Sequence, residues 1–290
     1  MEYPVSTSLN LAFDHTYQRD VTEQIKTIAD CGFRHMDFNF LDWSVDPRSG
    51  FTTDDWERWT DQAGQFAERE GIVFDQAHAA VVENMIYQGI SEQMLHEQWR
   101  RAILACQRLR IPWLVFHCLE SADENWMERN HQLLDPYVEL AQKAGVGIAF
   151  ENIWICKKEI PFSNTEALIE FVDSFQDPLV GICFDTGHAN VHKGDAQAKL
   201  ASDPYRQLTM IGHRLKALHI NDNNGYGDDH IAPFDGNVCW DAVMRGLRDA
   251  QYQGAFTFET HNAVVRLPES LKEDKIRFLK RIGEELVRGF

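Results

Sequence analysis

Basic residues are scarce in this chain: 28 Lys and Arg stand against 45 Asp and Glu over 290 residues, for a formal net charge of −17. Such a balance repels phosphodiester backbones, because non-specific nucleic-acid affinity comes mainly from cationic side chains displacing counterions. No nucleic-acid partner is expected. The six cysteines, Cys31, Cys106, Cys118, Cys156, Cys183 and Cys239, show no CxxC spacing. A disulfide framework is thereby disfavoured and reduced, mostly buried thiols are expected. No apolar run approaches the roughly 18 residues of a membrane span, and the first thirty residues hold no long apolar stretch after a basic start. The expectation is a protein without membrane contact, in the cytoplasm. No Pro/Gly/Ser-rich linker or low-complexity tract divides the sequence, so residues 1–290 read as one domain. P-loop, dinucleotide and nucleophile-elbow motifs are missing too, which argues against nucleotide-dependent and acyl-transfer chemistry.

What is present is a repeated strand pattern. Six apolar runs, Val73 to His78, Trp113 to His117, Gly147 to Glu151, Gly181 to Asp185, Leu215 to His219 and Ala255 to Glu259, each end in a residue able to bind a metal. In the last four, the column containing the terminal ligand is mostly small: Gly147, Ala149, Glu151; Gly181, Cys183, Asp185; Leu215, Ala217, His219; Ala255, Thr257, Glu259. The alternate column carries Ile148, Phe150, Ile182, Phe184, Leu218, Ile220, Phe256 and Phe258. Strand side chains alternate faces, so one column lines a narrow interior while the other packs beneath helices. Closed parallel barrels have that asymmetry, and their strand ends share one mouth.

Helical periodicity fills the gaps. Strands are expected at Thr7 to Phe13 and Phe33 to Phe40, and helices at Asp20 to Cys31, Thr53 to Glu70, Ser91 to Leu109, Asn125 to Ala144, Thr165 to Phe175, Pro204 to Gly212, Trp240 to Asp249 and Glu269 to Arg288. The alternation predicts a single (β/α)8 TIM barrel, an α/β fold. A doubly wound open sheet is the rival, but it would gather its site mainly at one switch point rather than from six consecutive strands. The long loops Asp42 to Phe51, Ile153 to Asn164 and Asn221 to Val238 all follow strands, at the mouth where such barrels keep their chemistry. Trp43 and Trp154 lie in or beside these loops, where each is a candidate for stacking on a sugar or for core packing.

Glu151, Asp185, His219 and Glu259 offer three oxygens and one nitrogen, a set suited to one divalent ion: Mn²⁺, Co²⁺, Mg²⁺ or Zn²⁺. Three buried carboxylates must share protons or be neutralised by a cation, and a divalent ion is the simpler answer.

The stretches AFEN (Ala149 to Asn152), GICFDTGHAN (Gly181 to Asn190), ALHINDN (Ala217 to Asn223) and TFETH (Thr257 to His261) resemble the sugar phosphate isomerase/epimerase superfamily, the xylose isomerase-like barrels. That superfamily includes ketose 3-epimerases, inosose dehydratases and, more distantly, the endonuclease IV type of repair enzyme. The resemblance spans strands one to eight. It implies that Glu151, Asp185, His219 and Glu259 ligate the metal and that His188 contacts a substrate oxygen. Two features depart from the ketose 3-epimerases and many isomerase-like members: no Arg stands between His219 and Trp240, and Pro233-Phe234-Asp235-Gly236 replaces a Pro-Gly-Glu-Gly loop. His78, His117, His188, Asp228 and His230 stand where the endonuclease IV type places ligands of additional zinc ions. For His78, His117 and His230, hydrogen bonding to substrate is the preferred role, with a second metal or packing as alternatives. His15, His35, His96, His131, His192 and His213 read as surface or helix-packing residues.

A divalent ion that chelates a carbonyl oxygen and its neighbouring hydroxyl acidifies the C–H between them and stabilises the resulting enediolate. Glu151 and Glu259, from strands five and eight, can flank such a substrate, one taking the proton and the other returning it. The expected activity is that of a metal-dependent isomerase or epimerase on a sugar, keto-sugar or polyol. A dehydratase or lyase arises if the intermediate expels a β-hydroxyl, and the alternatives are a multi-zinc phosphodiesterase or a ligand-binding barrel without turnover. A small sugar-like molecule is the expected partner, and the sequence is also compatible with a homo-oligomer. Lys157 and Lys158 are the only paired basic residues near a mouth loop, which leaves a substrate phosphate undecided.

Overall fold

The apolar columns form eight parallel strands: β1 (Val5–Ser8), β2 (His35–Asn39), β3 (Val73–His78), β4 (Trp113–Phe116), β5 (Gly147–Glu151), β6 (Val180–Asp185), β7 (Leu215–His219) and β8 (Phe256–Phe258). The computed structural model describes residues 3–12, 20–45, 48–82, 89–119, 124–154, 163–195, 198–199 and 202–289. His15, Cys156, Lys157, Lys158 and most of the loop after β5 lie outside the described residues. The strands pair in the order β7-β6-β5-β4-β3-β2-β1-β8. Beyond β7 and β8 the ring closes through Ile220, whose N–H donates to the Thr257 carbonyl (2.8 Å) and whose carbonyl accepts from Glu259 N–H (3.0 Å). This is the expected (β/α)8 TIM barrel.

Eleven α-helices lie between or beyond the strands among the described residues: α1 (Val21–Asp30), α2 (Phe40–Ser44), α3 (Trp56–Glu70), α4 (Glu92–Leu109), α5 (Trp126–Ala144), α6 (Thr165–Ser174), α7 (Thr186–Asn190), α8 (Pro204–Ile211), α9 (Trp240–Asp249), α10 (Asn262–Val265) and α11 (Glu269–Arg288). Their boundaries are set locally. Asp20 and Glu23 form a reciprocal capping box at the start of α1, and the Ser91 side chain accepts from Met94 N–H at the start of α4. Gly71 and Gly145, in the left-handed conformation, end α3 and α5.

The two faces of the sheet differ as the columns require. Phe150, Ile182, Phe184, Leu218, Phe256 and Phe258 belong to the large core between strands and helices. Val115, Ala149, Cys183 and Ala217 form a separate small cluster inside the barrel, closed below by Trp113. Gly147 is small because the Trp113 ring occupies the space its Cβ would fill. All described cysteines are free, and only Cys239 among them is exposed. No helix among the described residues is long and apolar enough to cross a membrane.

Three expectations need correction. β1 covers Val5–Ser8 rather than Thr7 to Phe13, because Ser8 Oγ accepts from Asn10 N–H (3.3 Å) and the chain turns into a 3-10 segment over Leu9–Ala12. The helix expected from Thr53 begins at Trp56, since Thr53 Oγ1 accepts from Asp55 N–H (3.3 Å) and holds a turn before the first helical residue. Leu215 does not share the interior column with Ala217 and His219. A register shift opposite Ile182/Cys183 sends it to the outer core, while Lys216 lies over the Trp113 ring with its Nζ 5.6 Å from the centroid.

Candidate metal centre

Every residue of the expected four-ligand set is buried at the C-terminal mouth, and the structure brings the four together. Glu151, Asp185, His219 and Glu259 each offer one ligand atom, and these atoms all lie within 4.8 Å of one another. Glu151 Oε1 is 3.0 Å from His219 Nδ1, and Glu259 Oε2 is 3.4 Å from the same nitrogen. Burial would raise the pKa of Glu151, but His219 and His117 beside it hold the carboxyl well below the usual range. Asp185 goes the other way: burial pushes it up to about 6 despite His188. A buried cluster with this donor set fits a divalent cation.

The motif residues around these four side chains hold them in place. Asn152 ties β5 to β6, its Oδ1 accepting from Asp185 N–H (2.7 Å) and its Nδ2 donating to the Asp185 carbonyl (3.0 Å). Asp185 caps α7, accepting from His188 N–H (2.6 Å), and its second oxygen accepts from Asn221 Nδ2 (2.7 Å). Thr186 Oγ1 donates to the Asn221 carbonyl (2.7 Å), and Gly187 lies against the Asn221 amide where a side chain would collide. The sequence DTGHAN therefore encodes one cap, one cross-strand bond, one close approach and one histidine directed at the site.

The surplus histidines converge on the same centre. His78, His188 and His230 each donate from Nδ1 to a backbone carbonyl, of Ala79 (2.7 Å), Asn152 (2.8 Å) and Glu259 (2.9 Å) respectively. That anchoring leaves each Nε2 facing a carboxylate: His78 at 3.3 Å from Glu151 Oε2, His188 at 3.5 Å and His230 at 3.0 Å from Asp228 Oδ2. His117 Nε2 donates to Glu151 Oε2 (3.0 Å). Three further sets of metal-type ligands include these histidines: His78 with His117 and Glu151, His78 with His219 and Glu259, and His188 with Asp228 and His230. Burial acts against protonation of His230, yet Asp228 and Glu259 raise its pKa to about 10.

A cavity of about 480 Å³ opens over these groups. Trp154 lines it with its ring 4.9 Å from that of His188, while Trp43 is buried against Trp59 and serves the core. Outside the cavity lining, His35 pairs with Asp75, His96 with Tyr137 and His131 with Asp135, in keeping with packing roles. The sequence reading passed over Asn10, Asn39, Asp42, His261 and Asn262, which line the opposite wall. Asn39 ends β2, and the other four follow strands one, two and eight within a few residues, so distance from a strand end was the available signal. Asp42 is pushed up to about 7 by burial and by Glu259.

The uncharacterized protein MJ1311 of Methanocaldococcus jannaschii is 31% identical over 162 residues, 55% of this chain and 52% of its own. The chain thus spans about half the length of that relative. A D-psicose 3-epimerase of Enterocloster bolteae is 31% identical over 97 residues, 33% of this chain and 28% of its own. Among solved structures, a D-tagatose 3-epimerase-like protein superimposes with a TM-score of 0.71 at 20% identity, covering 100% of this chain and 99% of the other. The IOLI protein with a bound zinc atom gives 0.70 at 14% identity, covering 100% and 99%. At these identities the structural likeness is one of fold. The model of the xylose isomerase-like TIM barrel family matches residues 25–282, and the chain belongs to that family.

Proposed function

We propose that the protein is a divalent-metal-dependent isomerase or epimerase acting on a sugar, keto-sugar or polyol. The observation that carries this reading is the convergence of Glu151, Asp185, His219 and Glu259 within 4.8 Å under an open cavity. A divalent ion held there supplies the positive charge that acidifies a C–H beside a carbonyl. Glu151 and Glu259 come from β5 and β8 and flank the centre, so that one abstracts the proton and the other returns it. His188 Nε2 is buried without a hydrogen-bond partner among the described residues and is available to a substrate oxygen. Trp154 beside it offers a flat face to a sugar ring. The sugar-epimerase relatives named above support the substrate class, and elimination of a β-hydroxyl by the same groups is the lyase variant of this chemistry.

A second reading, a polynuclear-metal phosphodiesterase, is favoured by one observation. Three histidines have their Nδ1 fixed on carbonyls and their Nε2 aimed inward, the usual arrangement of metal-ligating imidazoles. Metal analysis of the purified protein, joined to incubation with ketoses, keto-inositols and oxidised glycosides in deuterated water and with a chromogenic phosphodiester, tests the two. One ion per chain and deuterium at the carbon next to the carbonyl are expected. Two or three ions with cleavage of a phosphodiester and no exchange would replace the first reading by the second.

A further inference from the structure

His219 differs from the other anchored histidines of the centre. Those of His78, His188 and His230 face the site through Nε2 and rest their Nδ1 on backbone carbonyls. His219 is turned round. Its Nδ1 faces Glu151 and Glu259, and its Nε2 points down the barrel toward Asp37 Oδ2 at 3.7 Å. Asp37 lies on β2, fully buried, and its Oδ1 has no hydrogen-bond partner among the described residues.

A buried carboxylate with spare acceptor capacity requires something to hold it, and Gln76 does so. Gln76 Nε2 donates to Asp37 Oδ2 (2.9 Å) and to the Leu218 carbonyl (3.2 Å). Its Oε1 accepts from Leu218 N–H (3.3 Å) and from Thr257 Oγ1 (3.3 Å). One amide therefore grips the main chain immediately before His219 and, through Asp37, the acceptor facing the far side of its ring. β2, β3, β7 and β8 are joined across the interior by this strut.

We infer that Asp37, held by Gln76, is the positioning residue of the metal centre: it fixes His219 in the Nε2–H tautomer with Nδ1 free to ligate. The inference rests on the four-residue metal reading. A carboxylate behind a ligating imidazole orients the ring and raises its basicity, and loss of such a partner weakens metal binding about 10- to 100-fold. His219 differs in that the carboxylate behind its ring, Asp37, stands on the side away from Glu151 and Glu259.

Zn²⁺ titration of the full chain in competition with a chelator, for wild type and Asp37→Asn, tests this, with the ¹⁵N shifts of His219 read in the zinc-loaded proteins. The expected result is about 10- to 100-fold weaker binding in Asp37→Asn and loss of the single Nε2–H signature. Thermal unfolding of the metal-free forms identifies a folding defect. If Asp37→Asn does not fold, Gln76→Ala keeps the carboxylate but frees it, and about three- to tenfold weaker binding is expected, as a partial loss of the same partner. Equal affinity and an unchanged tautomer in a folded Asp37→Asn overturn the inference alone. Failure of the wild type to bind Zn²⁺ overturns the metal reading and this inference with it.

Discussion

Gly236 lies directly against the carboxylate of Asp222: a Cβ on this glycine would overlap Asp222 Oδ1 and the Asn223 carbonyl. Asp222 is fully buried and collects four donors, Asn223 N–H (2.9 Å) and Val238 N–H (3.0 Å) on Oδ1, Phe234 N–H (2.9 Å) and Trp240 Nε1 (3.0 Å) on Oδ2. The loop after β7 is thus wound around one buried anion. Asp228 and His230 sit on that loop, so the geometry at the mouth depends on a carboxylate that never faces the cavity.

Gly236→Ala is expected to destabilise the fold by about 1–3 kcal/mol, because the methyl meets main chain and a fixed carboxylate rather than a flexible side chain. Urea unfolding measures that cost. The same variant should weaken any contact made through His230 while leaving the four primary ligands assembled, and a wild-type melt in Gly236→Ala would show that the loop gives way easily.

Asp185→Asn should sharply lower metal occupancy, measured by elemental analysis of the purified protein. The amide keeps an oxygen that can cap α7 and accept from His188 N–H, so the helix itself should lose less than about 1 kcal/mol. Separating these effects matters. Full occupancy in a normally folded Asp185→Asn would remove Asp185 from the ligand set.

Stability at acid pH should carry the mark of Glu97, far from the site. Arg100 and Arg101 hold its carboxyl down to about 2, against the burial that opposes them. Arg101 is buried and also donates to the carbonyls of Phe51 (2.9 Å) and Thr53 (2.7 Å), pinning the segment before α3 to α4. Because the folded pKa lies below the ordinary value of about 4.3, this contribution is complete above pH ~4.3 and is lost as pH falls toward 2. Glu97 is one-third exposed, so solvent screening leaves about 1 kcal/mol. Unfolding curves between pH 2 and 7 should be flatter for Glu97→Gln, and an identical slope would show that the pair contributes nothing.

The barrel and the convergence of Glu151, Asp185, His219 and Glu259 were legible in the sequence for one reason: a residue's column in a strand decides its face, and column and strand end can both be counted. Ala149, Cys183 and Ala217 fell inside the barrel as that count requires. Leu215 did not, because a bulge at Lys216 shifts the register and no residue type there announces one. Asp37 and Gln76 were missed for a related reason. They lie within strands of mixed polarity, and their role depends on partners on β7 and β8 that sequence proximity does not reveal. Glu23 and Asp20 show the opposite case, where a capping box is local and its helix start can be read directly.

His230 separates the two functional readings most sharply. Its Nδ1 is committed to the Glu259 carbonyl and its Nε2 faces Asp228, which His188 Nε2 also approaches. If His188 and His230 bind a hydroxyl or carbonyl of a sugar, His230→Ala removes one polar contact and leaves the primary ligands intact. Metal content should then equal that of wild type, and kcat/KM should fall by roughly one to two decades, corresponding to about 1–3 kcal/mol for one contact. If the pair with Asp228 holds a second ion, His230→Ala should instead lose a whole equivalent of metal. We expect the first outcome, because a chain of net charge −17 suits a small neutral ligand better than a phosphodiester backbone. Native mass spectrometry of wild type and His230→Ala side by side decides between them, and loss of one metal equivalent would replace the isomerase reading by the polynuclear one.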